Sequence, residues 1–259
     1  IVAAGSDRID ISVIVPALNE AESLKELFSR CAAVLKENKR TFQFVLIDDG
    51  STDSTPEIVS DLCKEYENFV SIHHNTKHGK SIALMQGFEE AQGDIAITLD
   101  ADLQDLPEMI PTLLKKLDEG YDLVNGYRIN RQDHWSRKFV SKAYNTFVSK
   151  VFGSNLNDIN CGLKAMRKPV YKSIELYGDL HRLMPVLAES KAFKTTEAAV
   201  DHADRKYGES RYTLFRHRGF LDVISLLVMN ASESRPFHFF CEVAFFFWVV
   251  SIFSFIIGF

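Results

Sequence analysis

Cysteine is scarce in this chain: four residues among 259, Cys31, Cys63, Cys161 and Cys241, with no CxxC pair and no metal-ligand spacing. That excludes a disulfide scaffold and a structural zinc site, and it reads as reduced thiols facing a reducing compartment. Positive charge is not in excess. The 30 Lys and Arg against 35 Asp and Glu leave a formal charge of −5, which argues against a general nucleic-acid binder, so no nucleic-acid partner is expected. Residues 1–6 lack a basic start and a long apolar run and do not read as a signal peptide. Residues 1–9 are taken as an N-terminal extension or tag scar. No internal repeat, low-complexity linker or clear boundary interrupts the chain before about residue 212.

What is present is an alternation. At 46% hydrophobic and 25% charged, 259 residues suffice to bury a full α/β core. Apolar runs predict strands near 10–16, 42–47, 69–74, 94–99 and 121–126, with helices between them. A helical stretch near 134–152, a short strand at 162–166, helices near 168–176 and 180–190 and a strand near 193–200 follow. Such alternation implies a mostly parallel central sheet with helices on both faces. Ligands of open sheets of this kind bind beyond the carboxyl ends of the strands. Three strand ends here carry acids: Pro16-Ala17-Leu18-Asn19-Glu20, Asp48-Asp49-Gly50-Ser51-Thr52-Asp53, and Asp100-Ala101-Asp102-Leu103-Gln104-Asp105. Asp49 and Asp53 are expected to shape their turn through side chain to backbone hydrogen bonds.

The third of these is the most informative. Two carboxylates two residues apart, directly after a strand, offer a hard divalent cation two oxygen ligands while leaving positions open for substrate phosphates. Mg2+ or Mn2+ is the expected ion, on Asp100 and Asp102, with Gln104 as a neutral oxygen.

With Gly79-Lys80-Ser81-Ile82-Ala83-Leu84, these motifs resemble the ordered signature of family 2 glycosyltransferases with the GT-A (Rossmann-like) fold. The extension to Pro107-Glu108 resembles the branch that contains dolichyl-phosphate mannose synthase and bacterial polyprenyl-phosphate glycosyltransferases. The likeness continues through Asn160-Cys161-Gly162-Leu163-Lys164, His181-Arg182-Leu183-Met184-Pro185 and the stretch from Arg205 to Arg211. The resemblance implies an inverting enzyme that moves a hexose-type sugar from a nucleotide diphosphate sugar, UDP favoured over GDP-mannose, to polyprenyl phosphate, releasing the nucleoside diphosphate. It implies a nucleotide-sugar site at Pro16, Asn19, Glu20, Asp48, Lys80, Asp100 and Ala101. It assigns catalytic roles to Asp102, Arg205, Arg128 and Arg137, and an acceptor-phosphate site to Arg128, Arg137 and Arg211. Asp158 is a candidate acceptor-side carboxylate. Cys161 is expected to be a buried structural thiol. The QxxRW motif of processive synthases is absent. Two other readings stand: a family 2 enzyme with a non-lipid acceptor, and a non-catalytic nucleotide-sugar-binding membrane protein.

The C-terminal stretch changes character. From Phe239 to Phe259 only Glu242 is charged, and nine of the 20 Phe lie between Phe237 and Phe259. A run of this length matches the roughly 20 apolar residues that cross a bilayer. Before it, Leu214, Phe220, Leu221, Ile224 and Leu227 supply an apolar face and Arg211, Arg216 and Arg218 a basic start, as in a helix lying on lipid headgroups. The expected organisation is a GT-A catalytic domain at 10–212, an interfacial amphipathic helix at 213–235 and a transmembrane segment at 236–259, with the membrane region truncated. The basic residues before the span place the catalytic domain on the cytoplasmic side. Membrane lipid is thus an expected partner, and a homo-oligomer is open.

Overall fold

The computed structural model describes residues 8–129, 146–148, 150–154, 156–204, 206, 217–232 and 236–258. The chain divides into two compact units, Ile1–Leu214 and Phe215–Phe259. The first holds a seven-stranded sheet: β1 (Ile11–Ala17), β2 (Phe42–Asp48), β3 (Phe69–His73), β4 (Ile95–Thr98), β5 (Leu123–Arg128), β6 (Lys164–Arg167) and β7 (Thr195–Val200), in the order β3-β2-β1-β4-β6-β5-β7. β1 pairs parallel with β2 and β4, β2 with β3, and β5 with β7. β6 alone runs antiparallel, between β4 and β5. That reversal brings the loop before β6 to the same edge as the carboxyl ends of the other six strands.

The strands form because their apolar residues alternate between two covered faces. Ile11, Val13 and Val15 of β1 and Phe44 and Leu46 of β2 share one core cluster with Leu24, Leu27, Phe28 and Leu35 of α1 (Ala21–Glu37) and Leu113 and Leu117 of α4 (Ile110–Asp118). The Phe28 ring meets Phe44 and Phe69 edge-on, each at 5.3 Å between centroids. α2 (Thr55–Glu65) adds Val59 and Leu62 to this cluster. The opposite face takes α3 (Lys80–Glu90), whose Gly87 lies against Ile14 and Ile47, and α5 (Lys168–Ser173), whose Tyr171 stacks near Phe88 at 5.8 Å. A mostly parallel sheet with helices on both faces is therefore what the chain builds.

Boundaries follow local chemistry. The helix expected near 180–190 begins as a 3-10 turn, Leu180–Leu183, and becomes α6 at Met184–Ser190, where Pro185 suits a first helical turn that needs no N–H from it. The helix expected near 168–176 ends at Ser173, since Ile174 is extended at ψ 131°. Of the stretch near 134–152, residues 146–148 and 150–152 are helical and the rest lies outside the described residues.

The second unit contains α7 (His217–Ser232) and α8 (Pro236–Ile257). Leu221, Ile224, Leu227 and Met229 of α7 are exposed. α8 has mean hydropathy 2.2 over Pro236–Ile256, none of it buried, and is long and apolar enough to cross a membrane. A solvent-exposed helix of this composition suits lipid rather than water, and suggests membrane attachment.

One glycine decides how β4 meets β1. Gly93 N donates to Ser12 Oγ at 2.9 Å, Tyr171 Oη donates to Gly93 O at 2.5 Å, and a Cβ at Gly93 would lie 2.6 Å from Ser12 N and 2.7 Å from Ile11 C. Those neighbours are backbone of a central strand and cannot yield. Gly93→Ala is expected to lower stability by about 2 kcal/mol, read by urea unfolding. A midpoint equal to wild type would contradict this packing.

Candidate functional site

The site forms where acid-bearing strand ends converge. At the end of β4, Asp102 Oδ1 accepts from Gln104 N at 3.2 Å, and Leu103 between them has φ 61°. That left-handed conformation costs a non-glycine residue about 1 kcal/mol, offset here by burial of the Leu103 side chain. The tight turn fixes Asp102, which is buried, beside Asp100 and Ala101. Lys80, first residue of α3, ion-pairs with Asp100 Oδ1. Burial pushes the Asp100 carboxyl up, but Lys80, with Lys164 and Arg128 farther off, outweighs it and holds the group below the usual carboxylate range.

Lys80 reaches Asp100 because β2 anchors the loop before α3. Asp49 accepts from His78 N at 2.7 Å and Gly79 N at 2.8 Å, and from His74 Nδ1 at 2.9 Å. Gly79 at φ 100° then turns the chain into the helix. His74 is bonded at both ring nitrogens to oxygen acceptors, Asp49 and Gln86. Burial pulls its pKa down, yet Gln86 and Asp49 together carry it above the ordinary value. Asp49 thus shapes a loop through backbone hydrogen bonds. Asp53 does so for its own turn, accepting from Thr55 N at 3.0 Å.

The neighbouring strand ends form the other wall. Asp48, 1% exposed, accepts from Ser51 N at 3.0 Å and from His73 Nδ1 at 2.9 Å. Asn19, at φ 52°, donates its N–H to Ser51 Oγ at 2.8 Å and accepts from Thr52 N at 2.7 Å, while Glu20 N donates to Thr55 Oγ1 at 3.0 Å. Pro16, Asn19, Glu20 and Asp48 therefore sit together at the ends of β1 and β2, next to the β4 turn.

On the far side, Arg128 closes its fork on Asp158, Nε to Oδ2 at 2.6 Å and Nη2 to Oδ1 at 2.9 Å. Burial would lower the Arg128 pKa, but the Asp158 carboxylate raises it well above the ordinary value. Arg137, Arg205 and Arg211 lie outside the described residues. The segment ahead of Arg205 is placed: Ala203 N donates to Gln104 O at 2.9 Å, and His202 bridges to Asp105. The chain after β7 is thereby laced to the Asp-rich turn.

Several contributors carried no signal in their spacing. A Cβ on Gly162 would lie 2.4 Å from Asp105 Oδ2 and 2.8 Å from Asp100 Oδ1, so both carboxylates rest on that glycine. Thr98 Oγ1 donates to Gly162 O at 2.8 Å. Cys161 is buried, and burial raises its thiol pKa, as a structural thiol requires. His181 and Ser81 bond side chain to side chain at 3.0 Å, which ties the His181-Arg182 segment to α3. Asn160 Oδ1 and His202 Nδ1 are buried without a hydrogen-bond partner among the described residues, both in loops at this edge. Asn160, Cys161, Gly162 and His181 entered the sequence reading only through the family resemblance, and His73 and His74, at the end of β3, did not enter it at all.

Because Arg128 and Asp158 are 12% and 4% exposed, removing one partner strands the other's charge. Asp158→Ala is expected to cost about 3 kcal/mol in urea unfolding. A loss under about 0.5 kcal/mol would mean the pair is effectively solvated.

A model described as glycosyl transferase family 2 matches residues 12–175. Among curated proteins, the chain is 40% identical over 207 residues to an undecaprenyl-phosphate 4-deoxy-4-formamido-L-arabinose transferase of Pseudomonas syringae pv. syringae, covering 80% of this chain and 61% of that protein. It is 38% identical over 218 residues to the Proteus mirabilis protein of the same name, covering 84% and 65%. The chain thus spans under two thirds of the length of these relatives. Among solved structures, mannosyl-3-phosphoglycerate synthase from Rubrobacter xylanophilus superimposes with TM-score 0.68 at 17% identity, over 87% of this chain and 75% of that one. Glucosyl-3-phosphoglycerate synthase from Mycobacterium tuberculosis, in complex with Mn2+ and UDP-glucose, gives 0.61 at 16% identity over 87% and 78%. These share the GT-A fold seen here. Match, relatives and fold agree with the strand-end motifs, and the chain belongs to glycosyl transferase family 2.

Proposed function

We propose that the chain is a membrane-attached, metal-dependent glycosyltransferase that moves a sugar from a nucleotide diphosphate sugar, UDP-linked, to polyprenyl phosphate. The observation that carries this is the Asp100-Ala101-Asp102 turn at the β4 edge, in a chain 40% identical to transferases named for undecaprenyl phosphate. The names of those relatives contain an arabinose derivative, so a pentose stands beside the hexose favoured from sequence.

The donor set fits a divalent cation. Asp100, part-exposed, and Asp102 present hard oxygens from one turn, with Gln104 beside them. Among the described residues no group of three or more His, Cys, Asp or Glu closes around an ion. Two carboxylates with open positions match the way Mg2+ or Mn2+ is held jointly by protein and substrate phosphates. When bound, the ion supplies positive charge for the departing diphosphate. Asp48, Glu20, Asn19 and Pro16 line the nucleoside end, and Lys80, already at Asp100, is placed to turn its ammonium to the diphosphate.

The acceptor needs little activation, because a phosphate monoester with a second pKa of about 6 is an anionic nucleophile near neutral pH. One of its oxygens bonds to the anomeric carbon as that carbon's bond to the β-phosphate oxygen breaks. The electron pair leaves with the nucleoside diphosphate, and attack from the opposite side inverts the centre. The protein's task is then to bring two anions together and neutralise them. Arg137, Arg205 and Arg211 are assigned to phosphate, since guanidinium forks match it bidentately. Arg128, its fork closed on Asp158, is assigned to holding the acceptor wall in shape. α8 anchors the enzyme and α7 lies at the lipid surface, with the catalytic unit on the cytoplasmic side.

The test is a panel of UDP- and GDP-linked hexoses and pentoses offered with polyprenyl phosphate in liposomes, with Mn2+ or Mg2+. Lipid-linked sugar is expected from a UDP-sugar and is abolished by chelator. Asp102→Asn is expected to lower turnover at least 100-fold with an unchanged thermal melt, about 2.7 kcal/mol of transition-state stabilisation. Transfer that persists in chelator contradicts the metal assignment. Transfer only to a water-soluble acceptor, or donor binding without turnover, contradicts the lipid assignment.

A further inference from the structure

Lys164 is the least expected charge in the molecule. It begins β6, is 1% exposed, and ranks among the largest fully buried side chains. Among the described residues no carboxylate is hydrogen-bonded to it. Its ammonium donates to three neutral oxygens: Asn125 Oδ1 at 2.5 Å, Cys161 O at 2.5 Å and Ile159 O at 3.2 Å. Two of those oxygens are backbone of the turn that ends at Gly162, the residue on which Asp100 and Asp105 rest. The same turn is held at its start by Asn125 Nδ2 donating to Asp158 O at 2.6 Å, and by Glu197, which accepts from Asp158 N at 2.8 Å.

We propose that Lys164 is a positioning residue: its buried ammonium pins the 159–162 turn, and through Gly162 it fixes where the Asp100 carboxylate points. This rests on the reading of Asp100 and Asp102 as a metal site. A hydrophobic residue could fill the same volume without desolvating a charge, so packing does not account for a lysine here. Three convergent acceptors do, because only a protonated amine has three N–H donors. The neutral amine has two, and would aim its lone pair at one of the three oxygens.

The latch is therefore sensitive to pH. The titratable groups facing Lys164 are the Asp158 carboxylate and the Cys161 thiol of the turn, Asp105 and Asp100 after β4, and Lys80 of α3, with Arg128 of β5 acting on Asp100 beside them. Burial lowers the Lys164 pKa to about 8; the Asp158 and Asp105 carboxylates oppose the shift and Lys80 adds to it. Two consequences have opposite signs. Between that value and the ordinary 10.5 the unfolded chain binds more protons, so this group makes global stability rise with pH. Over the same range the turn loses a bond, and cation affinity at Asp100 falls. Charge alone would do the reverse: removing a cation near Asp100 would strengthen cation binding.

The experiment measures Mn2+ affinity of the full chain in detergent by titration calorimetry, with thermal melts alongside. In wild type the dissociation constant is expected to rise about tenfold from pH 7 to 9. In Lys164→Met it is expected to be about tenfold weaker at pH 7, flat with pH, with a melting temperature equal to or above wild type. An unchanged or tighter constant in folded Lys164→Met overturns the proposal. Where that variant does not fold, the wild-type series decides: a constant that is flat or tightens up to pH 9 overturns it. Wild type that binds no Mn2+ at either pH sinks the metal reading and this proposal together, whereas binding that ignores Lys164 sinks this one alone.

Discussion

Six carboxylates, Asp48, Asp49, Asp100, Asp102, Asp105 and Asp158, converge on one edge of a single sheet, and five of them are buried. Burying like charges close together is prohibitive unless each finds donors or a counter-charge. The rest of the architecture answers that constraint. Asp48 and Asp49 are met by backbone N–H groups and by His73 and His74. Asp158 is met by a bidentate arginine, and Asp100 by the lysine that opens α3. The turn that leads into the reversed strand β6 supplies the glycine against which two of the acids rest, and β6 itself begins with the buried lysine behind it.

These solutions differ in how easily they are undone. The Arg128–Asp158 pair lies between two structural elements with both partners nearly sealed, and it behaves as part of the scaffold. Lys80 and Asp100 are about a third exposed on a flexible side chain, so their pairing is exchangeable. A cation arriving with a diphosphate can take the carboxylate while the ammonium turns to the phosphate, at little cost to the fold. Rigid acids around one exchangeable pair fit the proposed binding of an anionic donor with its ion. In the proposed reaction an anionic acceptor would need only positioning and neutralisation there, electrostatic work that requires no strong base.

Much of this was legible in the sequence, and the limits have physical causes. Continuous apolar runs located β1 to β5 because both faces of the sheet are covered, and the acids after them marked the edge because binding residues of open sheets gather there. The position of β6 was not legible. A four-residue strand, Lys164–Arg167, reads the same parallel or antiparallel, and its insertion between β4 and β5 depends on long-range pairing. The pairing of Arg128 with Asp158 was not legible, because the two are 30 residues apart and no spacing links them. Lys164 stood in a predicted strand and in a motif of the resemblance, with nothing in its spacing to assign it a role. Its burial follows from the turn it holds, and Gly162 matters through what a side chain there would displace rather than through backbone conformation.

The central claim is that the Asp100–Asp102 turn holds a divalent cation together with a nucleoside diphosphate. The most direct measurement is anomalous diffraction at the manganese edge from crystals of the protein grown with Mn2+ and UDP. The account predicts one strong peak at the β4 edge, with Asp102 oxygens at about 2.1 Å and diphosphate oxygens completing the shell. Bound nucleotide with no peak there, or a peak elsewhere on the chain, would contradict it.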